Sequence, residues 1–172
     1  MKKIIFLLVG IFLTLSFGCE RDDICAETTI TTPKLVIVFR DAEDPTKTKK
    51  VENFNAKAIG EENFYFETPV NDTIVKLPLK TSMGNTRYQF VFNYTENTEE
   101  EDTPEPNPDE INFIYTPVDA FVSRACGYKT EFLELDANLI GEQNDANWID
   151  NINVQQPNNI VNEFTTHLYI YH

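Results

Sequence analysis

The chain has 172 residues, and 28 acidic against 14 basic side chains give it a formal net charge of −14 at neutral pH. So acidic a body does not bind nucleic acid or an anionic lipid surface electrostatically, because both require basic patches. The length is enough for one domain with a proper hydrophobic core.

Lys2 and Lys3 open the chain, and Ile4 to Phe17 follow without a charge. A basic start and a short apolar core are the first two parts of an export signal, here residues 1–18. The run is too short to cross a bilayer comfortably, which takes about 20 apolar residues. Acidic residues come next, where a stop-transfer flank would carry Lys and Arg. The end of the run, Leu15-Ser16-Phe17-Gly18-Cys19, resembles a bacterial lipobox of the looser kind, with leucine four residues before the cysteine. The resemblance implies that Cys19 is thioether-linked to diacylglycerol and becomes the mature N-terminus, with the membrane as a partner through that lipid. Without the signal the charge balance is 12 basic against 28 acidic residues. Glu20-Arg21-Asp22-Asp23 resembles the short acidic signal that sends Bacteroidota lipoproteins to the outer face of the outer membrane. Its other reading is a plain solvated tether. The expected location is the bacterial outer membrane, lipid-anchored, with surface exposure if the acidic signal operates.

Residues 19–32 read as an acidic tether that carries Cys25. With Cys19 lipidated, Cys25 and Cys126 are an even pair, and in an exported chain such a pair is normally a disulfide. The alternatives are two free buried cysteines or one reactive thiol. A nucleophilic cysteine wants a histidine close by in space, and both histidines, His167 and His172, lie at the far C-terminus. If Cys25 is bonded, the six positions back to Cys19 reach at most about 20 Å, which keeps the body near the membrane.

Residues 33–172 read as a single domain of strands. Leu35-Val36-Ile37-Val38-Phe39 is apolar on both faces, as in a central strand. Lys50–Ala58 and Asn63–Glu67 are the next candidates. In Thr73–Lys80, Val75, Leu77 and Leu79 alternate with polar positions, and Pro78 marks an edge strand. The turn Ser82-Met83-Gly84-Asn85 leads to Arg87–Tyr94, where Tyr88, Phe90, Phe92 and Tyr94 share a face, so a hairpin is predicted. Glu96 to Glu110 holds eight acids, no base and three prolines, and predicts a mobile, solvated insertion at 96–110 rather than a cation-binding or partner-binding lobe. Glu110–Thr116, Phe121–Leu135, Ile149–Gln155 and Thr165–Tyr171 complete the set. No segment after the signal has a sustained helical period. The fold class is therefore all-β, an antiparallel β-sandwich, of which the immunoglobulin-like arrangement is one form.

Pro33 to Asp41, Val75-Lys76-Leu77-Pro78-Leu79 and Ser123-Arg124-Ala125-Cys126-Gly127-Tyr128 together resemble the pattern of a family of small uncharacterised Bacteroidota lipoproteins. That resemblance supports the pairing of Cys25 with Cys126 and implies no activity, since the family has none assigned.

The sequence carries little recognisable chemistry. His167 sits in an alternating strand, where an exposed position is expected rather than a catalytic one. The glycines build no phosphate cradle, and carboxylates are too abundant for any pair to stand out. Asp136, Asn138 and Gly141 begin like a calcium loop, but Ile140 and Asn147 occupy positions that need an oxygen ligand and a bidentate glutamate. That segment is read as a turn before Trp148. Asp72-Thr73-Ile74 resembles the sequon for O-glycosylation of exported Bacteroidota proteins and makes Thr73 a candidate modification site. The expectation is a binding or structural module of the cell envelope, with a protein or glycan partner. It is not read as an enzyme, and no cofactor or metal is implied. A glycan-binding or small-ligand-binding surface lipoprotein is the alternative, and a small envelope hydrolase comes third.

Overall fold

Leu35, Val36, Ile37, Val38 and Phe39 are all buried, which five successive strand residues achieve only when both faces of the strand are covered. They form β1 (Leu35–Arg40) in a computed structural model that describes residues 24–29, 31–95, 104–141 and 147–172. Eight strands follow among these residues: β2 (Val51–Ala58), β3 (Val70–Asp72), β4 (Ile74–Leu77), β5 (Asn85–Phe92), β6 (Asn107–Ser123), β7 (Gly127–Ile140), β8 (Asn151–Val154) and β9 (Leu168–Tyr171). The described residues contain no helix. The signal segment, Cys19, Glu20 to Asp23 and residues 96–103 of the acidic insertion lie outside them.

The chain forms two compact units. The larger comprises Ile30–Ala120 and Lys129–His172, and the smaller comprises Phe121–Tyr128 with the residues up to Thr29.

In the larger unit the strands form two sheets, in the orders β4-β1-β9-β8 and β3-β2-β5-β6-β7, packed face to face as a β-sandwich. Aromatic rings fill the space between them. Phe39 from β1 meets Phe54 from β2 edge-on at 5.4 Å, Phe54 meets Phe90 at 5.2 Å, and Phe90 meets Phe113 at 6.2 Å. The first two pairs are edge to face, which sets the negative ring face of one partner against the positive edge of the other, and the third is tilted. β1 is antiparallel to β4 but parallel to β9, with Ile37 opposite Leu168, so the first sheet is mixed. The strand orders differ from the ABED and CFG sheets of an immunoglobulin constant domain.

β4 is an edge strand and ends just before Pro78, as the missing N–H of proline demands. It does not pair with β5, however. The predicted hairpin of 73–80 with 87–94 is instead a crossing between the sheets: β4 pairs with β1 and β5 with β2 and β6. Val75 and Leu77 on one side and Tyr88 and Phe90 on the other are all buried, each run turning its apolar face to the same core from its own sheet. Asn63–Glu67 is not a strand either, and its backbone finds other partners, described below. The insertion stops earlier than predicted, because Asn107 to Glu110 already pair with Phe92 to Gln89 in β6. There Asp109 is buried and accepts the Ile149 N–H at 2.9 Å. β6 continues through Pro117 to Ser123, and the break falls at 124–126 rather than at 117–120. Asp136 to Ile140 belong to β7, not to a turn.

The smaller unit is built differently. Cys25 and Cys126 are joined by a disulfide across a sequence separation of 101, as the cysteine count predicts. The Cys126 N–H donates to Ser123 Oγ at 3.0 Å, and the Thr29 hydroxyl lies 3.6 Å from Cys126 Sγ. Gly127 has φ +72° with open space around its α-carbon, so the glycine is needed there for its backbone alone. None of this unit's described hydrophobic side chains is buried.

Candidate functional site

The sequence-derived candidates do not converge on one place. Cys19 is outside the described residues, and Cys25 with Cys126 is consumed in the disulfide. Thr73 lies half-buried in the crossing from β3 to β4. Its N–H donates to the Asp72 carboxylate at 2.6 Å, and its carbonyl accepts from Phe39 N–H at 2.8 Å.

The expectation of an exposed His167 is overturned. Only 4% of it is accessible, because its backbone N–H donates to the Val36 carbonyl and its Nδ1 accepts the Val36 N–H, both at 3.0 Å. Burial pushes its pKa down, opposed by the Asn162 backbone and the Glu163 carboxylate. His172 is held among Phe39, Phe92 and Trp148 at 5.6 to 6.1 Å. Its pKa is also lowered, first by burial and then by the charge of Lys49.

A cleft of about 380 Å³ in the larger unit gathers the residues that can act on a ligand. It is lined by the irregular segment containing Asn63, Phe64 and Tyr65, and by Pro78, Leu79 and Lys80 after β4. Ala58 and Tyr88, register partners on β2 and β5, line it too, with Thr86.

Both segments are fixed by side-chain hydrogen bonds. Buried Asn55 on β2 receives the Phe66 N–H at 3.2 Å and donates to the Phe66 carbonyl at 3.0 Å, and the Tyr65 N–H reaches the Ala56 carbonyl at 2.7 Å. This amide takes the place of a strand neighbour, which is why 63–67 need not join a sheet. At the other segment the Tyr88 hydroxyl donates to the Pro78 carbonyl at 2.7 Å. Tyr115 donates its one hydroxyl proton to the Lys80 carbonyl at 2.8 Å, so Thr86 must be the donor in its 2.6 Å contact with Tyr115. The Lys80 N–H closes the circuit onto Thr86 Oγ1 at 2.9 Å.

Burial raises the pKa of Tyr88, with the neighbouring Tyr65, Tyr115 and Glu61 adding to the effect. Burial raises Tyr115 as well, against the pull of its bonds with Thr86 and Lys80. Both phenols therefore keep their protons at physiological pH and act as donors. At the rim, Lys34 Nζ stands 5.7 Å from the Tyr65 ring centre and Lys57 Nζ stands 5.1 Å from that of Phe64. The Tyr65 hydroxyl is the largest cause of a raised Lys34 pKa, with Glu163 contributing. Phe64 also leans on Tyr94 at 4.4 Å. The cleft thus offers aromatic surface with Glu61, Asn63 and Lys80 beside it, and Glu61 is the one carboxylate among its described lining residues.

Sequence reasoning missed this site by assigning Asn63–Glu67 to a strand. The signal was present: Phe64, Tyr65 and Phe66 are consecutive, and alternating strand residues cannot all turn to one core.

Residues 53–172 match the model of a family described as of unknown function (DUF6452). The match takes in Cys126 but begins after Cys25 and β1. No curated protein and no solved structure matches the chain.

Proposed function

The chain belongs to this family of unknown function, so the reading rests on its own residues, and we propose that it is a lipid-anchored binding module of the cell envelope whose cleft takes a glycan or another small ring-shaped ligand. The observation that carries the proposal is the pair Phe64 and Tyr65 on the wall of the cleft, with Glu61, Asn63 and Lys80 beside them. A sugar ring presents C–H bonds on its faces and hydroxyls around its edge. Aromatic walls take the first, and a few placed polar groups take the second and fix orientation. Lys34 and Lys57 each approach one of these two rings, a contact that favours the observed ring positions modestly.

Anchoring is supported by the basic start, the apolar run and the lipobox-like sequence ending at Cys19. A binding role is favoured over catalysis because glycoside hydrolysis generally uses two carboxylates, and neither histidine lines the cleft. His167 is committed to Val36.

The test is calorimetric titration of the Cys19→Ser protein against a panel of cell-envelope oligosaccharides. Tyr65→Ala is expected to weaken binding about tenfold, the upper end of what one aromatic face contributes. A thermal melt of the variant should show a single cooperative transition, lowered by no more than a partly exposed side chain contributes. Indifference of every bound sugar to Tyr65→Ala would remove the cleft from the reading. Cys19→Ser should also release the protein from the membrane fraction, and retention after carbonate washing would mean that the apolar run itself is the anchor.

A further inference from the structure

Three of the four most exposed large hydrophobic residues among those described lie in the smaller unit: Ile24 at 87%, Tyr128 at 70% and Phe121 at 61%. The rings of Phe121 and Tyr128 stand edge to face at 5.4 Å, so they form one patch rather than two isolated side chains. The disulfide ties the segment bearing Ile24 to the turn bearing Arg124. Ile24, Arg124, Ala125 and Thr29 share the lining of one open cavity of about 430 Å³.

The described residues of this unit carry one acid, Glu27, and one base, Arg124, and its other acids after the signal, Glu20, Asp22 and Asp23, stand with Arg21 in the tether sequence. Aromatic side chains with an apolar body and a polar edge, joined by a basic residue, are the composition that settles at a bilayer's headgroup level. The occupant follows from the tether. Six positions separate Cys25 from Cys19, an extended reach of roughly 20 Å at most.

We infer that Ile24, Phe121 and Tyr128 form a membrane-docking surface that enters the headgroup region of the bilayer holding the lipid on Cys19, with Arg124 at the level of the phosphates. The inference rests on the lipid-anchor reading above. It adds that the acyl chains are not the only contact: the aromatic pair makes a second one, so the smaller unit is held at two points.

The chain has a single tryptophan, Trp148, half-buried against Phe92, which leaves a clean background for an introduced indole. Lipidated full-length Tyr128→Trp is reconstituted into phosphatidylcholine–phosphatidylethanolamine vesicles with and without brominated phosphatidylcholine. Brominated lipid should quench the emission added at position 128 and leave that of the native protein unchanged. Phe121→Trp, at a second exposed position, should behave alike and guards against one variant misfolding. Mass spectrometry of the N-terminal peptide separates the failures. Unquenched emission from both folded variants, with diacylglycerol present on Cys19, overturns the docking surface and spares the anchor. An unmodified Cys19 overturns both.

Discussion

The two units of this chain are held together by different physics. In the larger, Phe39, Phe54, Phe90, Phe113 and Phe132 are fully buried, and stability is spread over many apolar contacts, each removing surface from water. In the smaller, none of the described hydrophobic side chains is buried, and the segment around Cys25 is joined to the turn between β6 and β7 by a covalent bond to Cys126. Burial stabilises the folded state directly, whereas a disulfide acts mainly by narrowing the unfolded ensemble. A distributed mechanism suits a scaffold that must position a cleft. A concentrated one frees neighbouring side chains such as Phe121 and Tyr128 to face outward.

The sharpest way to break the comparison is a cavity in the larger unit. Phe54 touches the rings of Phe39, Phe66, Phe90 and Trp148. Phe54→Ala should cost about 3–5 kcal/mol in urea unfolding, as large-to-small aromatic changes in cores do. The disulfide should stay closed in the variant under non-reducing conditions. A loss below 1 kcal/mol would mean that the rings are less tightly packed than their distances indicate.

Next comes the bond itself. Cys25→Ala should lower stability by about 2–4 kcal/mol, and Cys126→Ala should match it. The double variant should be no worse than either single one, since each already removes the whole bond. Dithiothreitol should reproduce the effect in the native protein and do nothing further to the variants. Two reactive thiols in the unfolded, non-reduced protein would refute the disulfide.

The smallest effect is one of pH. The folded pKa of His167 lies below its unfolded value near 6.5, so the unfolded chain binds the extra proton first as pH falls. Stability from this group is complete above about pH 6.5 and is lost as pH drops from there through the folded pKa. His172 acts in the same direction. Thermal melts between pH 8 and pH 5 should therefore show a decline. His167→Asn, which keeps an acceptor near the place of Nδ1 for the Val36 N–H, should make it shallower and leave the share due to His172. The smaller unit has no histidine among its described residues. Disulfide reduction should accordingly lower the melting temperature by the same amount at both ends of this range.

What could be read from the chain in advance was what one segment specifies alone. Five apolar residues in a row made β1 a covered strand, and Pro78 made β4 an edge. Alternation tells which face of a strand is buried but not which strand lies beside it. Thr73–Lys80 and Arg87–Tyr94 were therefore predicted as partners when they in fact face one core from opposite sheets. The environment of His167 depends on Val36, 131 residues earlier, and no local pattern reports that contact. The cleft wall was hidden for a similar reason. Its backbone is satisfied by the side chain of Asn55 instead of a ladder, and a polar residue between Phe54 and Ala56 was the one local hint.

The parallel pairing of β1 with β9 has a consequence for how the chain comes into being. β9 lies between β1 and β8, so the first sheet has a gap until Leu168–Tyr171 arrive. A ribosome delivers β1 early and β9 more than a hundred residues later. Throughout that interval β1 has only β4 to pair with, and an apolar strand waits with one edge open. Contacts this distant in sequence form slowly, because the intervening loop must close first. The first sheet can therefore close only once Leu168–Tyr171 have been made, whereas β2, β5 and β6 of the second sheet are all in hand well before that.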